Sequence, residues 1–142
     1  MILFPVANDE KRLGLKEIVI GLEHQNQYKT YKLQDIETKK LINDVISEDN
    51  KIALVSLQPF MIRVFDRVIE NENKDDEIVV DLLYNETTNN LIDNRTNSKV
   101  NFDGKFILGP LENKQLKRLP MDQGFWFEWV AFHPETEVFS IK

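Results

Sequence analysis

The sequence predicts a mainly β, α+β domain in which antiparallel strands form a sandwich or partly open barrel and a C-terminal helix packs against them. Short runs rich in β-branched residues recur along the chain, Ile52-Ala53-Leu54-Val55-Ser56-Leu57 being the plainest. Turn-forming clusters such as Asn85 to Asn90 and Asp103-Gly104 punctuate them. Finally, Gly124 to Glu135 gathers both tryptophans and several phenylalanines beside one of the two histidines, a block apolar enough to demand burial.

The 142 residues divide into an N-terminal arm over 1–15, polar and without a clear period, and a single β-rich domain over 16–142. Glu17 to Leu22 and Tyr28 to Leu33 read as strands joined by a turn at His24-Gln25-Asn26-Gln27. Gln34 to Lys39 suits one short helical turn. Leu41 to Ile46 and Ile52 to Leu57 are strands flanking a polar loop at Ser47 to Lys51. Pro59 marks the start of a strand over Met61 to Ile69, with Ile62, Val64 and Asp66 on one face and Arg63, Phe65 and Arg67 on the other. Glu70 to Asp76 is a polar loop, after which Glu77 to Tyr84 resumes the strand pattern and Asn85 to Asn90 turns the chain again. Asp93 to Lys99 is a polar turn, and Lys105 to Leu108 is a strand closed by Gly109-Pro110. Asp122 is the expected N-cap of a helix running to about Phe132 and stopped by Pro134. Phe125, Trp129 and Phe132 would then share its buried face, with Trp126 turned partly toward the surface.

Composition narrows the function more than it identifies it. There is no cysteine, which removes disulfides, thiolate metal sites and cysteine nucleophiles. A net charge of −6 with dispersed lysines opposes nucleic acid as a partner. No apolar run approaches bilayer-spanning length. With only five glycines, phosphate-loop and dinucleotide fingerprints are absent, so no cofactor is assigned. The four serines Ser47, Ser56, Ser98 and Ser140 lack a nucleophile elbow.

Several short patterns follow one another along the chain: Asn43-Asp44; Phe65-Asp66-Arg67; Leu82-Leu83-Tyr84-Asn85; Asp93, Thr96 and Ser98; Gly109-Pro110-Leu111 with Leu119-Pro120. The most specific is Trp126-Phe127-Glu128-Trp129 followed by His133-Pro134-Glu135-Thr136 and Val138. Together they resemble the uncharacterised family called domain of unknown function 3179, from about Ile18 to Ser140. The resemblance implies an extracytoplasmic, secreted or envelope-associated protein with no assigned activity. Many members resemble one another in a Cys-Pro-x-Cys element, where this chain has Gln58-Pro59-Phe60-Met61, and in a histidine before Asn-Asp, where it has Lys39. Any metal or redox chemistry resting on those residues in relatives is lost here.

His133, following the aromatic block, suits the C-terminus of a helix, where an imidazolium complements the last carbonyls. Asp66-Arg67, and Asp93 with Arg95, suggest an Asp–Arg network that locks turns together or presents an anion-binding fork. Asp93, Thr96 and Ser98 have the spacing of Asx and Ser/Thr turns. Asn71 to Asp76 is too irregular for a calcium loop, and no metal ligand set is assigned. Asn85-Glu86-Thr87 and Asn94-Arg95-Thr96 are glycosylation sequons that agree with life outside the cytoplasm. The expectation is a non-catalytic binding or interaction module within a longer or processed extracytoplasmic protein. Its ligand would be an unknown protein or small molecule, and its contact surface would combine Asp66, Arg67, Asp93, Trp126 and His133. The competing expectation is a metal-dependent or hydrolytic enzyme using His133 with Asp66 or Asp93 in a pocket at the strand ends.

Overall fold

A computed structural model describes residues 13–14, 16–47, 50–58, 61–69 and 77–140. In chain order the elements are β1 (Ile18–His24), β2 (Gln27–Lys32), α1 (Leu33–Lys39), β3 (Leu41–Ser47), β4 (Asn50–Gln58), β5 (Met61–Asp66), β6 (Val68–Ile69), β7 (Ile78–Val79), β8 (Leu82–Asn85), β9 (Asn90–Asp93), β10 (Lys99–Val100), β11 (Phe106–Leu108), β12 (Asp122–Phe125), α2 (Trp126–Phe132) and β13 (Glu137–Val138). Among the described residues the strands form antiparallel sheets with one parallel pairing, β13 on β2, and none of these sheets closes into a barrel. The chain forms two compact units: one holds residues up to Asp35 and from Pro120 onward, the other Ile36–Leu119. Most of the expected arm, Pro59 and the Glu70–Asp76 loop lie outside the described residues.

In the first unit the sheet order is β12-β1-β2-β13. The β1–β2 hairpin turns through Gln25 and Asn26, both with positive φ (49° and 63°), the backbone of a two-residue turn whose twist matches the strands it joins. Helix α2 bridges β12 and β13 and packs Trp126, Trp129 and Val130 against Val19, with Leu13, Tyr28 and Val138 alongside. Gly21 makes this packing possible. A Cβ there would lie 2.5 Å from Cε3 and Cη2 of Trp129, so the indole rests directly on the strand backbone.

The helix departs from the sequence expectation. It begins at Trp126, and its N-cap is Phe125, which offers no capping side chain. Asp122 instead opens a strand, because the segment from Asp122 to Phe125 pairs antiparallel with β1 from Gly21 back to Ile18, and this ladder supplies the backbone bonds a capped turn would otherwise provide. Starting four residues later rotates the buried face onto Trp126, Trp129 and Val130, the i, i+3, i+4 set. Trp126 is therefore fully buried at 0% exposure, whereas Phe125 is 40% and Phe132 74% exposed. The expected surface aromatic is a core residue, and two expected core residues face outward.

In the second unit, the three-stranded sheet β3-β4-β5 and the four-stranded sheet β11-β10-β9-β8 contribute to one core. Ala53, Val55 and Phe65 come from the first sheet, Leu82, Leu91, Val100 and Phe106 from the second, and Leu111 and Leu116 from the connections. The strand expected over Met61–Ile69 breaks at Arg67, and the one expected over Glu77–Tyr84 breaks at Val80-Asp81. Both breaks are changes of partner. The Arg67 N–H bonds the Lys51 carbonyl, the Val80 N–H bonds the Arg67 carbonyl, and the chain passes from the β6–β7 ribbon to β8 on β9.

Candidate functional site

A pocket formed within the first unit lies between β12 and α2. Val19, Asp122, Gln123, Gly124, Phe125, Glu128, Trp129, Phe132 and His133 enclose a pocket of about 270 Å³. Each wall has a local cause. Val19 and Gly124 stand opposite one another in the β1–β12 pairing and so share a sheet face. At Gly124 a Cβ would meet nothing within 4 Å, so the absent side chain leaves open space on that face. Trp129 and His133 are one helical repeat apart, and both reach the pocket.

His133 is the helix C-cap residue, its backbone N–H donating to the Trp129 carbonyl (2.9 Å), which agrees with the sequence-based placement at the helix end. Its ring does more than cap. It stacks on Tyr28 with centroids 3.9 Å apart and planes at 20°, and it lies 4.4 Å from the Trp129 ring. Tyr28 also meets Trp129 edge-on at 6.1 Å. Desolvation raises the Tyr28 pKa above its ordinary value, with Glu23 and Glu135 adding to the rise. Behind this trio, Trp129 Nε1–H donates to Thr136 Oγ1 (3.0 Å), and Thr136 Oγ1 lies 2.9 Å from Thr30 Oγ1, so the wall of the pocket is anchored in a buried hydroxyl pair. The carboxylates Asp122 and Glu128 are exposed on the lining, and neither pairs with a cation among the described residues.

The other sequence-predicted residues lie in the second unit, where their polar groups are engaged in holding the chain. Arg67 is buried, donating from Nε to the Ile52 carbonyl (2.7 Å) and from Nη2 to the Asp44 carbonyl (2.9 Å). Burial lowers its pKa from the ordinary arginine value, against the raising influence of Asp81, Asp44 and Asp66. The expected anion-binding fork is thus directed at backbone. Asp66 Oδ1 accepts the Val68 N–H (2.9 Å) at the bend leading into β6. Asp93 is buried, with Oδ1 accepting the Asp81 N–H (3.0 Å) and Oδ2 accepting the Thr96 hydroxyl (2.8 Å) and N–H (3.2 Å).

The expected Asx and Ser/Thr turn is therefore present, and it extends further. Because the Thr96 proton goes to Asp93, Ser98 Oγ donates to Thr96 Oγ1 (2.6 Å) and accepts the Leu111 N–H (3.0 Å). Asp93, Thr96, Ser98 and Leu111 are one hydrogen-bonded chain. Arg67 and Asp93 meet about the Val80-Asp81 step, where the Val80 N–H bonds the Arg67 carbonyl and the Asp81 N–H bonds Asp93, while Asp66 precedes Arg67 at the end of β5. They share a unit with one another, while Trp126 and His133 belong to the other unit. No group of three or more His, Asp or Glu side chains among the described residues is arranged to hold a metal ion.

Sequence reasoning missed Tyr28, Gly124, Phe125 as an exposed ring, and the carboxylates Asp122 and Glu128. The available signal was Gly124, a glycine beside an aromatic run with no turn to explain it. No helix of the described residues is long and apolar enough to cross a membrane.

Comparison with known proteins identifies the pattern as a whole. A family model described as "Protein of unknown function (DUF3179)" matches residues 1–136. No curated protein and no solved structure matches the chain.

Proposed function

We propose a non-catalytic binding role for this chain, which belongs to the DUF3179 family of proteins of unknown function. Its ligand enters the pocket between β12 and α2 of the first unit. One observation carries this reading: Phe125 and Phe132 expose large apolar rings beside an open pocket whose third aromatic wall, Trp129, is fastened by a hydrogen bond to Thr136. Aromatic walls with a few convergent polar groups are the usual make-up of ligand sites. A cluster of exposed aromatics costs solubility and marks an interaction surface.

The binding reading is preferred to the enzymatic one because the carboxylates an enzyme would use are already engaged. Asp93 spends both oxygens on Asp81 and Thr96, Asp66 bonds the Val68 N–H, and the His133 ring stacks on Tyr28 and lies tilted against Trp129 as part of an aromatic wall. The domain acts outside the cytoplasm, as the family resemblance implies, and antibody detection in fractionated cells checks that placement.

The test is an indole-resolved NMR titration of the whole chain with short peptides, oligosaccharides and small organic ions. Ligand-induced shifts centred on Trp129 and Gly124 are expected, without consumption of any ligand. Turnover of a panel compound, or binding that leaves Trp129 unperturbed, overturns the reading.

A further inference from the structure

We propose that the pocket receives a lysine or arginine side chain from an extended peptide that adds a strand to β12. This inference rests on the binding reading above and names its ligand class. It starts from the sheet. β12 is the outermost strand of the order β12-β1-β2-β13 among the described residues, so the backbone edge turned away from β1 faces no described strand. Such edges recruit extended peptides through main-chain hydrogen bonds, and pockets beside them select alternate side chains. All four residues of β12, from Asp122 to Phe125, line the pocket, so a strand laid along this edge brings a side chain to its mouth.

Charge selects the side chain. The lining carries the exposed carboxylates Asp122 and Glu128 and contains no lysine or arginine, and the whole chain has a net charge of −6. Rim charges of one sign steer the opposite sign toward a site. The walls suit the same group. Trp129, Phe125 and Phe132 offer apolar surface to a methylene stem, and the exposed Phe125 ring lies beside the cation at its end. The volume of about 270 Å³ falls just below the roughly 300–1,000 Å³ of small-molecule clefts, which fits one long side chain better than a cofactor.

The experiment titrates the full chain, followed by NMR, with blocked Val-Lys-Val-Lys-Val, its Glu-for-Lys counterpart, the neutral sugar cellotetraose, and two versions of the lysine peptide N-methylated on alternate residues in opposite phases. Gly124→Val serves as the pocket-filling variant, because its Cβ meets nothing within 4 Å and Gly124 is not among the positive-φ residues, so the fold accommodates it. Retained Trp126 indole dispersion confirms that it does. The lysine peptide is expected to shift Gln123, Gly124 and Trp129, to lose at least tenfold in affinity in the Asp122→Asn/Glu128→Gln variant, to fail to bind Gly124→Val, and to lose binding in one N-methyl phase only. Equal binding of the glutamate peptide, or unchanged affinity without the two carboxylates, overturns the choice of a cation. Full binding by both N-methyl peptides overturns strand addition. Cellotetraose shifting Trp129 while the lysine peptide does not overturns this inference and leaves the pocket reading standing; no probe distinguishing wild type from Gly124→Val overturns both.

Discussion

Gly21→Ala is the substitution whose consequence the structure defines most sharply. The new methyl would sit 2.5 Å from two carbons of the Trp129 ring, where relaxed carbon contacts need about 3.5–4.0 Å, so the indole must retreat by about 1 Å. Its contacts oppose that movement. Its Nε1–H is committed to Thr136 Oγ1, and Tyr28 and His133 lie against its other sides. Overpacking costs about 1–3 kcal/mol, and loosening a buried donor costs about 1–3 kcal/mol more. The reduced freedom of the unfolded chain offsets only about 0.4–1 kcal/mol. The net loss is about 3 kcal/mol, readable as a lowered urea midpoint by far-ultraviolet circular dichroism with the Trp band as a second probe. In a Trp129→Leu background the clash disappears, and Gly21→Ala is expected to cost no more than about 0.5 kcal/mol. The same cost in both backgrounds would refute the claim that this glycine exists to seat the indole.

Three further outcomes are expected. Trp126→Ala removes a ring with no solvent exposure and should cost about 3–5 kcal/mol, whereas Phe132→Ala, at 74% exposure, should stay within about 0.5 kcal/mol; chemical denaturation of the two variants side by side checks the order. Asp93→Asn keeps an acceptor for Asp81 and turns a donor toward the Thr96 N–H and hydroxyl, so a loss of about 1–3 kcal/mol is expected, with faster amide exchange at Asp81, Thr96 and Leu111. The raised Tyr28 pKa means that the folded chain holds this proton more tightly than the unfolded chain does. The associated stability is therefore complete below the ordinary tyrosine value of about 10 and declines as the pH rises from there through the folded pKa. Ultraviolet titration should find in wild type a late-ionising phenol that is missing from Tyr28→Phe.

What the sequence reveals and what it conceals follow from how far apart the deciding residues lie. The β1–β2 hairpin and the turns at Asn85–Asn90 and Asp93–Lys99 are legible because each is set by its own few residues: Asn26 accepts a positive φ, Asn85 Oδ1 accepts the Thr87 N–H, and Asp93 takes Thr96. The helix start is misread because Asp122 satisfies the local rule for an N-cap, while the distant segment Ile18 to Gly21 claims the same residues for a sheet. Tertiary pairing wins, since it sets four residues in register with β1, where a cap satisfies one or two donors.

That single shift of register decides the site. With Asp122 to Phe125 extended, Gly124 comes opposite Val19, Phe125 is turned outward, and Asp122 joins Glu128 at the pocket; had the helix begun at Asp122, there would be no edge strand there at all. The same logic explains why the motif residues carry so little chemistry of their own. Asp93, Thr96, Ser98 and Leu111 form one hydrogen-bonded chain, Arg67 ties Ile52 to Asp44, and Trp129 ties α2 to Thr136. The residues that carry the family resemblance are largely those that fasten its loops. The pocket is built instead from the fastened helix and a strand edge that faces no described strand, so the ligand preference proposed for it would depend on residues outside the motif, Asp122, Gly124 and Phe125, as much as on Trp129 within it.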